Sequence, residues 1–332
     1  TKLYKTLEAI IGTDVSLAAS LLKKGKLVAI PTETVYGLAG NAFNKDAIIA
    51  IFEAKNRPRF NPLIIHTHSL EKVKEYVKEL PEAALKLAEA HWPGPLTLLL
   101  SKHDRISDLV TAGSPRVAIR IPNHPLTLSV LEQCDFPVAA PSANPFGYIS
   151  PTTSDHVFQQ LGSKIPYILN GGPCQVGIES TIIGFEEDRP RIYRLGGMAL
   201  NEIEEMIGKI LTDVKTNEDL PQTSGRLKSH YAPGTPLILG KIEELLEKTN
   251  SKRVGVLAFQ QTYSSSKIAK QIVLSPNGNI NEAAKNLFAA MRNLDEKRLE
   301  IIFAELLPET GLGNAINDRL KRAQALNKNP NQ

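Results

Sequence analysis

Leu27-Val28-Ala29-Ile30-Pro31-Thr32-Glu33-Thr34-Val35-Tyr36-Gly37-Leu38-Ala39-Gly40 sets the pattern by which the rest of the chain is read. A short apolar run predicts a buried strand from Leu27 to Ile30, and at Pro31 hydroxyls and glycines take over. If the strand continues, Thr32 and Thr34 share one face and Glu33 and Val35 the other, with the glycines allowing close backbone approach. The hydroxyls then line a ligand site, or the segment is a polar strand end closing into a turn. These residues alone support both readings.

The same alternation of short apolar runs with amphipathic stretches continues, which is the α/β pattern. Strands are expected at Leu63 to His66, Leu96 to Leu100, Arg116 to Ile121, Pro137 to Ala140, Tyr167 to Leu169, Ser180 to Phe185 and Arg191 to Arg194. Helical spacing fits Asp14 to Lys24, Asp46 to Lys55, Pro81 to His91, Pro125 to Cys134, Ser154 to Leu161 and Leu200 to Leu211. Strands that follow one another without a helix, as after Tyr167, predict a mixed sheet. Between Thr212 and Gly234 the hydrophobic pattern stops, and beyond it a smaller doubly wound, Rossmann-like unit is expected. The expected organisation is 1–211, a linker at 212–234, and 235–332.

A length of 332 residues favours two domains, and 42% hydrophobic with 22% charged residues is an ordinary globular composition. A net charge of +4 suits anionic small molecules as easily as RNA. Cys134 and Cys174 form neither a CxxC pair nor a disulfide framework, so a reducing, cytoplasmic setting is expected. The apolar runs are too short to cross a bilayer, and no apolar signal core stands near the start, so no membrane contact is expected.

Several segments could carry chemistry. Lys55-Asn56-Arg57-Pro58-Arg59-Phe60-Asn61-Pro62 closes a helix with three cations, and the prolines push Arg57 and Asn61 into extended backbone. Such a loop suits a triphosphate clamp, against the alternative of cations capping a helix C-terminus. In Arg116-Val117-Ala118-Ile119-Arg120-Ile121, alternation sets Arg116, Ala118 and Arg120 opposite the aliphatic residues. Arg120 must then meet a carboxylate ligand or an internal Asp or Glu. Ser142 and Asn144 stand where the strand ending at Ala140 meets polar residues, suited to ligand contacts or to turn bonding. Gly177-Ile178-Glu179-Ser180-Thr181 has the same form. His66 and His68 lack a third ligand at a recognisable spacing, so no metal site is expected. Gly311-Leu312-Gly313 lacks the third glycine of a dinucleotide fingerprint, and a close helix–strand contact explains it as well.

Taken in order, Pro31-Thr-Glu-Thr-Val-Tyr-Gly-Leu, Lys55-x-Arg57, Arg57-Pro-x-x-Asn61-Pro-Leu and Ser142-x-Asn144 resemble the threonylcarbamoyl-AMP synthase family. The first 211 residues resemble its YrdC-type catalytic domain, a twisted mixed sheet around a basic cavity. His230-Tyr231-Ala232-Pro233 and the closing Gly-Leu-Gly-Asn-Ala-Ile-Asn resemble its long, two-domain form. The resemblance implies condensation of L-threonine, bicarbonate and ATP, with Mg2+ bound to the substrate, and a product used by tRNA threonylcarbamoyl-transferase machinery. It implies threonine contacts from Thr34, His66, Arg120, Ala140 and Ser180, with Arg120 on the carboxylate. It implies nucleotide contacts from Arg57, Asn61, Ser142, Ser150, Arg194 and His230, with Lys55 on the phosphates and Lys55 and Arg57 catalytic. Asn144 is counted with the nucleotide residues through its motif. At Arg116 the family has a smaller residue, so only a backbone contact is implied. The linker reads Thr223-Ser224-Gly225 where the family has Ser-Pro-Gly.

Anion attacking anion asks a protein mainly for positioning and charge neutralisation, so no Ser/His/Asp or Cys/His arrangement is required. An RNA contact remains an open partner, and an RNA-binding module or an ATP sensor are the rival classes. A steep salt dependence without pyrophosphate release marks the first, nucleotide binding indifferent to threonine the second. Low aromatic content, 6%, weakens the RNA reading because stacking platforms need rings. His230 and Tyr231 are out of place in a passive tether, so Gln222 to Gly234 is expected to close over the cavity as a lid. The alternative is that they pin the second domain. A chain cut after Leu211 is expected to fold yet lose much of its synthesis activity.

Overall fold

The computed structural model describes residues 8–187, 189–212 and 230–325. Within them one mixed sheet contains β1 (Ile10–Gly12), β2 (Val28–Ile30), β3 (Gly37–Asn41), β4 (Ile64–His66), β5 (Leu96–Ser101), β6 (Arg116–Arg120), β7 (Val138–Ala139), β8 (Tyr167–Leu169), β9 (Thr181–Glu186) and β10 (Arg189–Arg194). Their spatial order is β1-β8-β2-β3-β7-β4-β6-β5-β9-β10. Parallel pairs such as β4 with β6 are mixed with antiparallel ones such as β9 with β10, and the helix-free connection between β9 and β10 is of the kind that predicts a mixed sheet. Around it stand α1 (Val15–Lys23), α2 (Lys45–Lys55), α3 (Leu70–Tyr76), α4 (Glu82–His91), α5 (Asp108–Thr111), α6 (Pro125–Glu132), α7 (Ser154–Leu161) and α8 (Leu200–Ile207).

The second sheet is wholly parallel, in the order β11-β14-β12-β13. It is built from β11 (Leu237–Leu239), α9 (Ile242–Lys248), β12 (Val254–Ala258), β13 (Ile268–Val273), α10 (Ile280–Asp295), β14 (Ile301–Ala304) and α11 (Gly313–Ala325). A Cβ on Gly313 would collide with the Pro308 carbonyl, and Gly311 takes a left-handed φ of 51°, so close packing at one glycine and backbone conformation at the other account for the Gly-Leu-Gly run.

Local chemistry explains the element ends that matter for function. The Asn44 side chain accepts from the backbone of Asp46 and Ala47 and so starts α2. Asn56 takes the left-handed conformation, φ 51°, ends that helix, and releases Arg57 into the loop. Gly208, at φ 79°, stops α8 four residues before the expected Leu211. In β6, Val117 and Ile119 enter the main core while Ala118 and Arg120 face the other way. The segment 31–36 is a loop rather than a continued strand. The Thr32 hydroxyl accepts from the backbone of Thr34 and Val35 and donates to the Val35 carbonyl, a side-chain turn that competes with pairing.

One hydrophobic cluster is shared by the two halves. Val35, Ile149, Ile178 and Ala199 belong to it together with Tyr231, Leu287, Phe288 and Met291. The large sheet's loops therefore use the second unit as their cover.

Candidate active site

Residues β4 and β6 set side by side create the floor of a cavity. Their register pairs Ile64 with Ala118 and His66 with Arg120, so His66 and Arg120 project from one face at neighbouring positions. The wall is completed by Thr32 and Thr34, Arg57, Ala140 to Ser142, Glu179 and Ser180, Arg194, His230 and Tyr231. The space free of atoms, mouth included, is about 570 Å³.

Arg120 is buried and held on three sides. Its Nη1 donates to Thr34 Oγ1 at 2.9 Å, its Nε to the Gly94 carbonyl at 3.0 Å, and its Nη2 lies 2.5 Å from Glu33 Oε1. That last contact is an ion pair lacking hydrogen-bond alignment. Thr34 Oγ1 also meets Thr32 Oγ1 at 2.9 Å. The internal acid expected as one partner for Arg120 is thus Glu33, which a continued strand would have turned away from Thr34. The only signal for Glu33 was its place as a lone acid beside a buried strand.

Arg57 is held by neutral oxygens. Its Nη2 donates to Asn61 Oδ1 at 2.7 Å and to the Pro62 carbonyl at 2.9 Å, and its Nε to the Asn61 carbonyl at 3.2 Å. Asn61 is therefore a support for Arg57, outside the cavity lining. Burial, with the like charge of Arg194, drives the Arg57 guanidinium down to about 9 despite an opposing contribution from Tyr231. Arg194 donates to the Ser180 carbonyl and hydroxyl, both at 3.1 Å, and Ser180 Oγ meets Thr97 Oγ1 at 2.7 Å. Two buried guanidiniums on one wall make a place where an anion is stabilised.

Other expected contacts lie apart from the lining. Lys55 is buried with its ammonium on the carbonyls of Ser142 and Asn144, so it ties the end of α2 to that loop. Burial first, then Arg57, holds its pKa well below the usual lysine range. Asn144 spends its amide on the carbonyls of Pro145 and Tyr148. Ser150 donates to Glu179 Oε1 at 2.5 Å. Arg116 sits at the far end of β6, its Nη1 on the Tyr193 hydroxyl at 3.0 Å and its guanidinium over that ring. Its place on the polar face was legible, but distance along the strand removes it from the cavity. Among the described residues no group of three or more His, Cys, Asp or Glu could hold a metal.

Of the expected lid, residues 222–229 lie outside the described residues, as does the Thr223-Ser224-Gly225 departure. His230 lines the cavity edge-on to Phe146, 5.6 Å between centroids, while Tyr231 stacks on Phe288 at 5.6 Å. Contact with the cavity and pinning of the second unit thus occur together. Tyr231 has φ 63°, costly for a bulky residue and held by its buried surroundings.

Buried imidazoles here resist protonation. Burial, helped by Arg120, pushes His66 down to about 3 from 6.5, and burial with Arg57, Lys55 and Arg194 drives His230 well below its usual value. In the unfolded chain these groups bind protons below pH ~6.5, so the unfolded state gains protons the folded state refuses. Stability is complete above that pH and should fall by ~1.4 kcal/mol per pH unit for each such histidine on acidification. Melting temperatures recorded from pH 7 to 5 should decline, and His66→Gln should flatten the decline. An unchanged slope in that variant would refute the assignment.

Comparison with known proteins adds family context. Residues 20–196 match the Sua5/YciO/YrdC model, described as telomere recombination, and residues 198–325 match the C-terminal domain model of threonylcarbamoyl-AMP synthase. The chain is 41% identical to a threonylcarbamoyl-AMP synthase of Pyrococcus abyssi, covering 95% of both chains. It is 39% identical to one of Bacillus subtilis, covering 93% of this chain and 92% of that one. The crystal structure of P. abyssi Sua5 complexed with L-threonine superposes with a TM-score of 0.88 at 39% identity, over 95% of this chain and 98% of the other.

Proposed function

The chain belongs to the threonylcarbamoyl-AMP synthase family of enzymes, and from that membership we propose that it condenses L-threonine, bicarbonate and ATP into threonylcarbamoyl-AMP and pyrophosphate. The observation that carries this reading is the joining, in one cavity, of the Arg120–Thr34–His66 group with the buried guanidiniums of Arg57 and Arg194. The first suits an amino acid and the second a triphosphate. L-threonine in the superposed P. abyssi structure supports the first half.

In this mechanism threonine's carboxylate shares Arg120 with Glu33, while Thr34, Ser180, the Ala140 backbone and a neutral His66 fix the side chain and amine. The amine and bicarbonate give the carbamate with loss of water, and one of its oxygens attacks the α-phosphorus in line, with pyrophosphate leaving. Arg57 and Arg194 neutralise the phosphates, and Lys55 and Asn61 keep the loops that carry Ser142 and Arg57 in place. Mg2+ enters as part of the MgATP substrate, since the cavity's Glu179 is already committed to internal partners.

The product would pass to tRNA-modifying machinery in the cytoplasm. Two buried free cysteines support a reducing compartment, and among the described residues no helix is long and apolar enough to cross a membrane. Pyrophosphate should form only with threonine, bicarbonate, ATP and a divalent cation all present. Robust release with threonine omitted would overturn the reading.

A further inference from the structure

Glu179 stands on the wall of a cavity that is to receive a highly anionic ligand. Its Oε1 accepts from Ser150, and its Oε2 lies 3.1 Å from Nη2 and 3.2 Å from Nε of Arg319, which comes from α11 of the second domain. Arg319 is completely buried. It also donates to the Leu195 carbonyl, next to Arg194, and its guanidinium lies 5.5 Å from the centre of the Tyr231 ring. A second arginine reaches across in the same way. Arg292 of α10 donates to the carbonyls of Ile149 and Ser150, fixing the backbone from which the Ser150 hydroxyl meets Glu179.

We propose that Arg319 is a positioning residue of the active site, through which the second domain pins and neutralises Glu179 so that the nucleotide wall stays net cationic. The inference rests on the nucleotide site proposed above. With Arg319 gone, the buried Glu179 carboxylate has lost its counter-ion and faces the incoming phosphates and Arg194 without it. Arg194 already feels the Glu179 charge, so the two groups are electrostatic neighbours. The threonine group is insulated from this change, because Arg120 has its own internal acid in Glu33.

The test compares affinities for MgATP and for threonine, each measured by calorimetry on the full chain well below its melting temperature. Arg319→Met should weaken MgATP binding roughly tenfold or more, since juxtaposed like charges are costly, while threonine affinity changes little. Combining Arg319→Met with Glu179→Gln should restore most of the nucleotide affinity, because Gln keeps an oxygen for Ser150 without the charge. A purely structural ion pair would lower the melting temperature and leave the ratio of the two affinities unchanged. That outcome, or a folded double variant that still binds MgATP poorly, overturns the inference. If Arg319→Met fails to fold, the double variant and Arg319→Lys carry the same comparison, Lys being expected to retain most of the affinity. Wild-type protein that binds no MgATP would instead overturn the proposed function.

Discussion

Arg57→Ala should reduce pyrophosphate formation by ~100-fold or more, with MgATP affinity falling ahead of threonine affinity. The expectation follows from how Arg57 is held. Three hydrogen bonds to neutral oxygens of Asn61 and Pro62 orient the guanidinium without cancelling its charge, so its full attraction is available to a phosphate. A preorganised charge in a buried wall costs no rearrangement when the ligand arrives. Unchanged MgATP affinity and turnover in the folded variant would remove Arg57 from the site.

Cutting the chain after Leu211 should abolish synthesis and also destabilise what remains. The sequence alone favoured a catalytic domain that folds without its neighbour, but the shared cluster changes that expectation. Truncation would uncover Val35, Ile149 and Ile178 and delete the donors from Arg292 and Arg319. Each buried carbonyl or carboxylate left without its partner costs ~1 to 3 kcal/mol, in addition to the lost apolar contacts. Thermal unfolding and pyrophosphate assays on residues 1–211 measure both effects. Product formed at the full-length rate, from a fragment that melts at the same temperature, would contradict this account.

The strands expected from aliphatic runs were legible because burial on both faces leaves a continuous apolar signature, as in Leu96 to Leu100. Two others were hidden. In β3 the Gly-Leu-Ala-Gly-Asn sequence offers little strand propensity and is held by pairing with β2 and β7, while β1 is three residues with Ile10 and Ile11 outward. The Arg120 face could be read from alternation alone. Lys55 could not be placed, since the sequence offers a phosphate clamp or a helix cap and does not show the distant loop whose Ser142 and Asn144 carbonyls take its ammonium. Arg319 did carry a local signal. It falls in line with Ala315, Ile316, Leu320 and Ala323 on the apolar stripe of α11, and a charge in such a stripe demands a buried partner. Its identity as Glu179 depends on tertiary contact across 140 positions.

The order of strands in the large sheet bears on how the chain is assembled during synthesis. β1, near residue 10, has as its neighbour β8, and β2 is flanked by the same strand. β2 can pair at once with β3, but β1 and the open side of β2 must wait for Tyr167 to Leu169 to leave the ribosome, on the order of ten seconds of elongation. Such long-range pairing also slows the search for the native register once the segments are available. Because Arg319 emerges later still, the cavity wall around Glu179 is completed after the large sheet, and a nascent chain stalled in the linker would present a Glu179 carboxylate without its Arg319 partner.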